Sequence, residues 1–159
     1  QKFGRRNLLI IGALGNAFGF LLCGLFSNVL VLVYIGCLIK GFSVGFLFAC
    51  GFAMASDVVD YGEWKTGIRS EGLINSCVSF GQKVGLGLGP AIATWIMAMG
   101  GYDGTAATQS ASAIASIRFG FGYYGMILSL GIAVIAFFMD LDKNGKEIAE
   151  TLAANHAKQ

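Results

Sequence analysis

Leu8–Phe26 reads LLIIGALGNAFGFLLCGLF, and beyond the Ser27-Asn28 pair Val29–Met54 reads VLVLVYIGCLIKGFSVGFLFACGFAM. These runs of 19 and 26 residues contain a single charged side chain, Lys40. About 20 apolar residues in a helix cross a hydrocarbon core of about 30 Å, so each run reads as a transmembrane helix. Two more follow, Leu73–Gly100 and Phe119–Met139. The second and third spans exceed the bilayer thickness and are expected to tilt, kink or project. Composition agrees: 55% of the 159 residues are apolar, 13% are charged, and mean hydropathy is +0.69. A soluble domain carries charge on roughly a quarter of its residues, so an ordinary water-exposed surface is excluded. The expected architecture is an all-α membrane protein with four spans in residues 1–139 and a polar tail over residues 140–159.

The few charges orient it. Of eleven Lys and Arg residues, Lys2, Arg5, Arg6, Lys65, Arg69, Lys143, Lys146 and Lys158 fall on one side of the four-span arrangement. Arg118 stands alone on the other side, and Lys40 and Lys83 lie within spans. This positive-inside bias places both ends and the connector Ala55–Glu71 in the cytoplasm, with Ser27-Asn28 and Gly101–Arg118 outside. Thr105–Ser116, rich in Ala and Ser, reads as a short external helix or loop. A signal peptide is the competing reading of the start, but its apolar run is too long for an h-region and three spans follow. The chain opens on Gln1, in a basic stretch leading into a span, and is expected to be part of a longer protein.

The third span is the most informative. Cys77, Gly81, Gly85, Gly89 and Ala93 recur every four residues, a ridge of small side chains that lets a partner helix approach closely. Pro90 lacks an amide hydrogen, so a kink or loosening is expected near residues 87–90. Beside the ridge, Asn75, Ser76, Ser79, Gln82 and Lys83 fall within an arc of about 120°, a polar face unsuited to lipid. Lys83 is too deep to snorkel easily; it is either a functional intramembrane cation or one half of a structural ion pair. Lys40 is placed between a mid-span position and the outer interface. No acidic residue lies clearly inside a span, and an unpaired buried charge is costly, so carboxylates from helices beyond this chain are expected to face Lys83.

The connector reads DVVDYGEWKTGIRSEG over residues 57–72, dense in both signs of charge. It is either a solvated connector or a gate whose charges pair in one conformation and separate in another. Asp140, Asp142, Asn144 and Gly145 match the first half of an EF-hand loop, but the twelfth position is Thr151, which removes the bidentate ligand. Asp142 or Asn144 instead suits the cap of a short tail helix, and His156 in that tail has no chemical partner. Cys23, Cys37, Cys50 and Cys77 lie within spans without CxxC spacing and read as small packing residues, so neither a metal site nor a disulfide is expected. No nucleophile–base arrangement or phosphate loop is present, so the chain does not read as an enzyme. A net charge of +2 set around membrane spans argues for topology control over nucleic-acid binding.

The connector motif, followed by a span carrying Lys83, resembles the glycoside-pentoside-hexuronide:cation symporters, the melibiose carrier group of the major facilitator superfamily. KFGRR at residues 2–6 is similar to the basic loop before that family's ninth helix, and Ile117-Arg118 with the span ending MDLDK at residues 139–143 is similar to its last helix and tail. The resemblance implies helices nine to twelve of a twelve-helix carrier, with the N-terminal helices of the same chain as partners alongside membrane lipid. It implies transport of a sugar or glycoside with a cation, sodium or a proton, by alternating access across the cell membrane, with no other cofactor. It places Lys83 and Ser79 near the sugar and cation sites. Asp57, Asp60, Arg69 and, in the same motif, Glu71 fall at the cytoplasmic closure. Gln82 shares the face of Lys83, but neither it nor Lys40 is a family signature. The rival readings are an uncoupled transporter of the same superfamily and a small four-helix membrane scaffold.

Overall fold

The computed structural model describes residues 4–138 together with Ile148 and Thr151. Helix α1 covers Arg5–Leu25, α2 Leu30–Thr66, α3 Glu71–Met99, α4 Ala111–Arg118 and α5 Tyr124–Phe138, with a π-helical turn at Phe119–Tyr123 joining the last two into one continuous rod. Among the described residues three helical segments, α1, α2 and Ala111–Phe138, are long and apolar enough to cross a membrane. Helix α3 has 29 residues, ample length for a span, but its polar face dilutes its hydropathy and it falls outside that set. Large apolar side chains point outward throughout: Leu38, Phe42, Leu86 and Phe138 are 74–80% exposed, as suits contact with lipid rather than water.

Consecutive segments run antiparallel. At one end Arg5 of α1 meets Asp57 of α2, and Arg6 lies over the Phe137 ring of α5 at 5.3 Å. At the other end Arg118 donates to Asn28 Oδ1 at 2.7 Å, tying the rod to the turn between α1 and α2. The first is the charged end of the molecule and the second its turn end.

Helix α1 is the hub, and small residues on two of its faces make it so. Toward α2, a Cβ at Gly12 would lie 3.2 Å from Phe46 Cβ, and one at Gly19 would lie 2.8 Å from the Gly36 carbonyl oxygen. Toward the rod, Gly24 and Gly122 bring their backbones together and Gly125 lies against the Phe20 ring. With no hydrophobic drive between helices in lipid, such close approach supplies the dispersion contacts that hold them. Between the two faces sit buried polar groups: Asn16 donates to Ser129 Oγ at 3.0 Å, and Ser129 returns its proton to the Gly125 carbonyl at 2.8 Å.

Several boundaries differ from the sequence reading. The second span, expected over Val29–Met54, continues as helix to Thr66, so most of the expected connector Ala55–Glu71 is helical and only residues 67–70 are not. Charge ends a span, not a helix: the backbone bonds stay internal, and Tyr61 meets the tilted Trp64 ring at 6.0 Å and the Lys65 ammonium at 5.9 Å along the same helix. Gly67, at φ 71°, closes it in the left-handed conformation that a side chain disfavours. The helix carrying the last span, expected from Phe119, begins at Ala111, within the stretch expected as a short external helix or loop; Ser110 caps it, its hydroxyl accepting from Ala113 N at 3.1 Å. Helix α3 continues through Pro90. Met139, the half EF-hand at Asp140–Gly145, the capping residues Asp142 and Asn144, and His156 lie outside the described residues; Ile148 and Thr151 are helical, and Ile148 is buried.

Candidate functional site

The polar face of α3 is open. Asn75, Ser79, Gln82 and Lys83 are exposed and, among the described residues, form no hydrogen bond or ion pair; Ser76 alone turns back, donating to the Gly72 carbonyl at 2.7 Å. The ridge beside it is equally bare, since a Cβ added at Gly81, Gly85 or Gly89 would meet nothing within 4 Å. No residue of α3 is buried. The close approach expected of this ridge therefore has no counterpart within the described residues, where tight packing belongs to the glycines of α1 instead. Nor does any described carboxylate approach Lys83.

Beside the charged end an apolar cleft of about 480 Å³ opens between α1, α2 and α3, lined by Leu9, Met54, Val58, Leu73, Ile74 and Cys77 among others. Such walls offer nothing to the hydroxyls of a polar solute. The amide, hydroxyl and ammonium groups of the α3 polar face, by contrast, can accept and donate hydrogen bonds at neighbouring positions.

The expected gate residues separate into two groups. Asp57 belongs with Arg5 and fastens the start of α1 to α2. Arg69, in the connector, gathers the other two, Asp60 at 3.2 Å and Glu71 at 3.4 Å, together with Glu63 at 2.7 Å, joining the end of α2 to the start of α3. Glu63, whose side chain is 13% exposed, is the most sheltered of these partners. Its hydrogen bond is the foremost cause raising the Arg69 pKa, with Asp60 and Glu71 adding to it. Sequence reading missed Glu63 and the pairing role of Arg5. Asp60 and Glu63 are three apart and share a helical face, a signal that disappears when the segment is read as a loop.

Lys40 has an aromatic partner. Its ammonium lies 4.0 Å above the Phe20 ring, while its stem packs against Gly19. The ring's quadrupole attracts a cation that, among the described residues, has no carboxylate partner.

Comparison with known proteins identifies the lineage. Residues 1–143 match the family model described as MFS/sugar transport protein. The isoprimeverose transporter of Lactiplantibacillus pentosus is 33% identical over 162 residues, covering 100% of this chain and 33% of that protein. The glucuronide carrier protein homolog of Escherichia coli (strain K12) is 33% identical over 92% of this chain and 32% of its own length. The inner membrane symporter YicJ of the same organism is 36% identical over 64% of this chain. No solved structure gives a significant match. The chain spans about one third of the length of the first two relatives, all of which are named as transporters, carriers or symporters and none as an enzyme. With a family match across nearly all of its length and apolar helices to fit, the chain belongs to the MFS sugar transport family, among its glycoside, pentoside and hexuronide carriers.

Proposed function

We propose that this chain is part of a symporter that moves a sugar or glycoside together with a cation, sodium or a proton, across the cell membrane by alternating access. Within it, α3 lines the pathway, with Lys83, Ser79 and Gln82 beside the substrate and cation. The observation carrying this reading is Lys83 itself: a cation about twelve residues into a membrane-length helix, exposed on a face shared with Asn75, Ser79 and Gln82, with no described carboxylate at hand. Lipid would not tolerate that face, whereas a water-filled path between two halves of a carrier would. The missing partners are helices of the same protein, against which the Gly81, Gly85 and Gly89 ridge slides. Both ends of the chain face the cytoplasm, where Asp57, Asp60, Arg69 and Glu71, with Glu63, brace the mouth of the carrier.

The test is Lys83→Leu in the full-length carrier. Sugar accumulation driven by a cation gradient is expected to fall by at least tenfold, while the amount of carrier in the membrane stays unchanged. Uptake equal to that of the parent would remove Lys83 from the mechanism. Retained downhill flux with lost accumulation would assign it to coupling rather than to sugar binding.

A further inference from the structure

Near the turn end, α1 and α2 cross at their tightest point, and two thiols meet there. A Cβ at Gly36 would lie 2.9 Å from the Gly19 carbonyl oxygen and 2.8 Å from Cys23 Sγ, so the α2 backbone beside Cys37 rests directly against the Cys23 side chain. Cys23 Sγ also reaches the Val33 carbonyl at 3.8 Å and is within hydrogen-bonding range of Cys37. Val33 and Cys37 are one helical turn apart, so Cys23 lies in a notch whose rim carries the second thiol. Cys37 is exposed and Cys23 half-buried, and both are free thiols.

We propose that Cys23 and Cys37 form an oxidisable thiol pair that closes to a disulfide across the α1–α2 crossing. A disulfide needs Cα atoms about 4.4–6.8 Å apart, a separation reached only where helix backbones touch, and the Gly19–Gly36 contact creates that condition one turn away. The oxidant is a small external disulfide that can enter the apolar shell. Cys37, the more accessible thiol, loses its proton and attacks one sulfur of that disulfide, releasing one thiol and leaving a mixed disulfide on Cys37. Cys23 then loses its proton and attacks the Cys37 sulfur, expelling the second thiol. Two protein thiols are oxidised, one disulfide is reduced to two thiols, and the two protons end on the released thiols. Cys50, buried on α2, and Cys77, on α3, lie elsewhere and have no thiol neighbour among the described residues.

The experiment uses membranes containing the full-length carrier, treated with 4,4′-dithiodipyridine, an apolar aromatic disulfide. The protein is then digested with chymotrypsin, which cleaves after Phe26 and Tyr34 between the two cysteines, and mapped by mass spectrometry without reduction. The Cys23 and Cys37 peptides are expected joined, with loss of free-thiol labelling at both positions together, and at least tenfold more of this product than of any link to Cys50 or Cys77. In Cys23→Ser the thiopyridyl adduct is expected to persist on Cys37. Separate adducts on the two cysteines of the parent protein, or two unmodified thiols, would overturn the proposal.

Discussion

Replacing Gly19 by alanine tests the α1–α2 crossing, because the added methyl group has nowhere to go. It would lie 2.6 Å from Lys40 Cγ, 2.8 Å from the Gly36 carbonyl oxygen and 3.1 Å from the Lys40 amide nitrogen. The Lys40 stem can swing aside, at the cost of moving its ammonium off the Phe20 ring, worth about 0.5–1 kcal/mol. The Gly36 carbonyl is backbone, and bringing its contact to an ordinary 3.4 Å requires α2 to move away by about 0.6 Å. Overpacking of this kind costs about 1–3 kcal/mol. Against it stands the gain of about 1 kcal/mol that alanine brings over glycine inside a helix. Gly131→Ala on α5 isolates that gain, since nothing lies within 4 Å of its added methyl. Unfolding of the full-length carrier by sodium dodecyl sulfate in mixed micelles supplies the comparison. Gly19→Ala should be less stable than Gly131→Ala by about 1–3 kcal/mol. Equal stabilities, or a more stable Gly19→Ala, would mean that the two backbones do not touch at Gly36 and that the hub is built some other way.

Two further outcomes follow from polar contacts. Asn16 and Ser129 couple α1 to α5 within the apolar core, and a double-mutant cycle with Asn16→Ala and Ser129→Ala in the same micelle assay should give a coupling of about 0.6 kcal/mol and no more than about 1.7; a coupling of zero would show that the pair does not bond. Asp103 accepts from both the amide and the hydroxyl of Thr105, at 2.9 and 2.7 Å, and these bonds, the hydroxyl foremost, hold its pKa below the usual carboxylate value. A depressed carboxylate contributes order that is complete above its unfolded pKa and fades as pH falls through the folded one. Hydrogen-exchange protection of the Thr105 amide, corrected for intrinsic exchange, should therefore persist as pH drops into the ordinary Asp range and decline only below it; earlier loss would contradict the contact.

How much the sequence discloses depends on which force acts. Hydrophobic length marks α1 and the apolar part of α2 because a bilayer filters for it, and the Ser27-Asn28 turn stands where one run stops and the next begins. The end of α2 is hidden, since it lies where polar composition suggests a loop while helix-forming residues continue the backbone pattern; at Ala111 a short helix is one of two readings, and its continuity with the last span is not legible. Small-residue spacing is visible in both α1 and α3, but spacing alone says nothing of which face meets a neighbour; Gly12, Gly19 and Gly24 proved to be contacts, and Gly81, Gly85 and Gly89 remain open. For the candidate site, the polar arc of α3 could be read directly because helical periodicity sets it. The pairing of Glu63 with Arg69, of Arg5 with Asp57, and of Lys40 with Phe20 depends on tertiary placement and could not.

The overhang of α2 has a mechanical consequence. Beyond Met54 the helix continues for a dozen residues to Thr66, about 18 Å of rigid rod past the apolar stretch. Rotation of the helix by about 10° would sweep its tip through about 3 Å, roughly one hydrogen-bond length, on that lever arm alone. Arg69 sits just past that tip and grips Asp60, Glu63 and Glu71 at 2.7–3.4 Å. Asp60 and Glu63 ride on the arm and move together, so the strain of such a tilt falls on the contact between Arg69 and Glu71 at the start of α3.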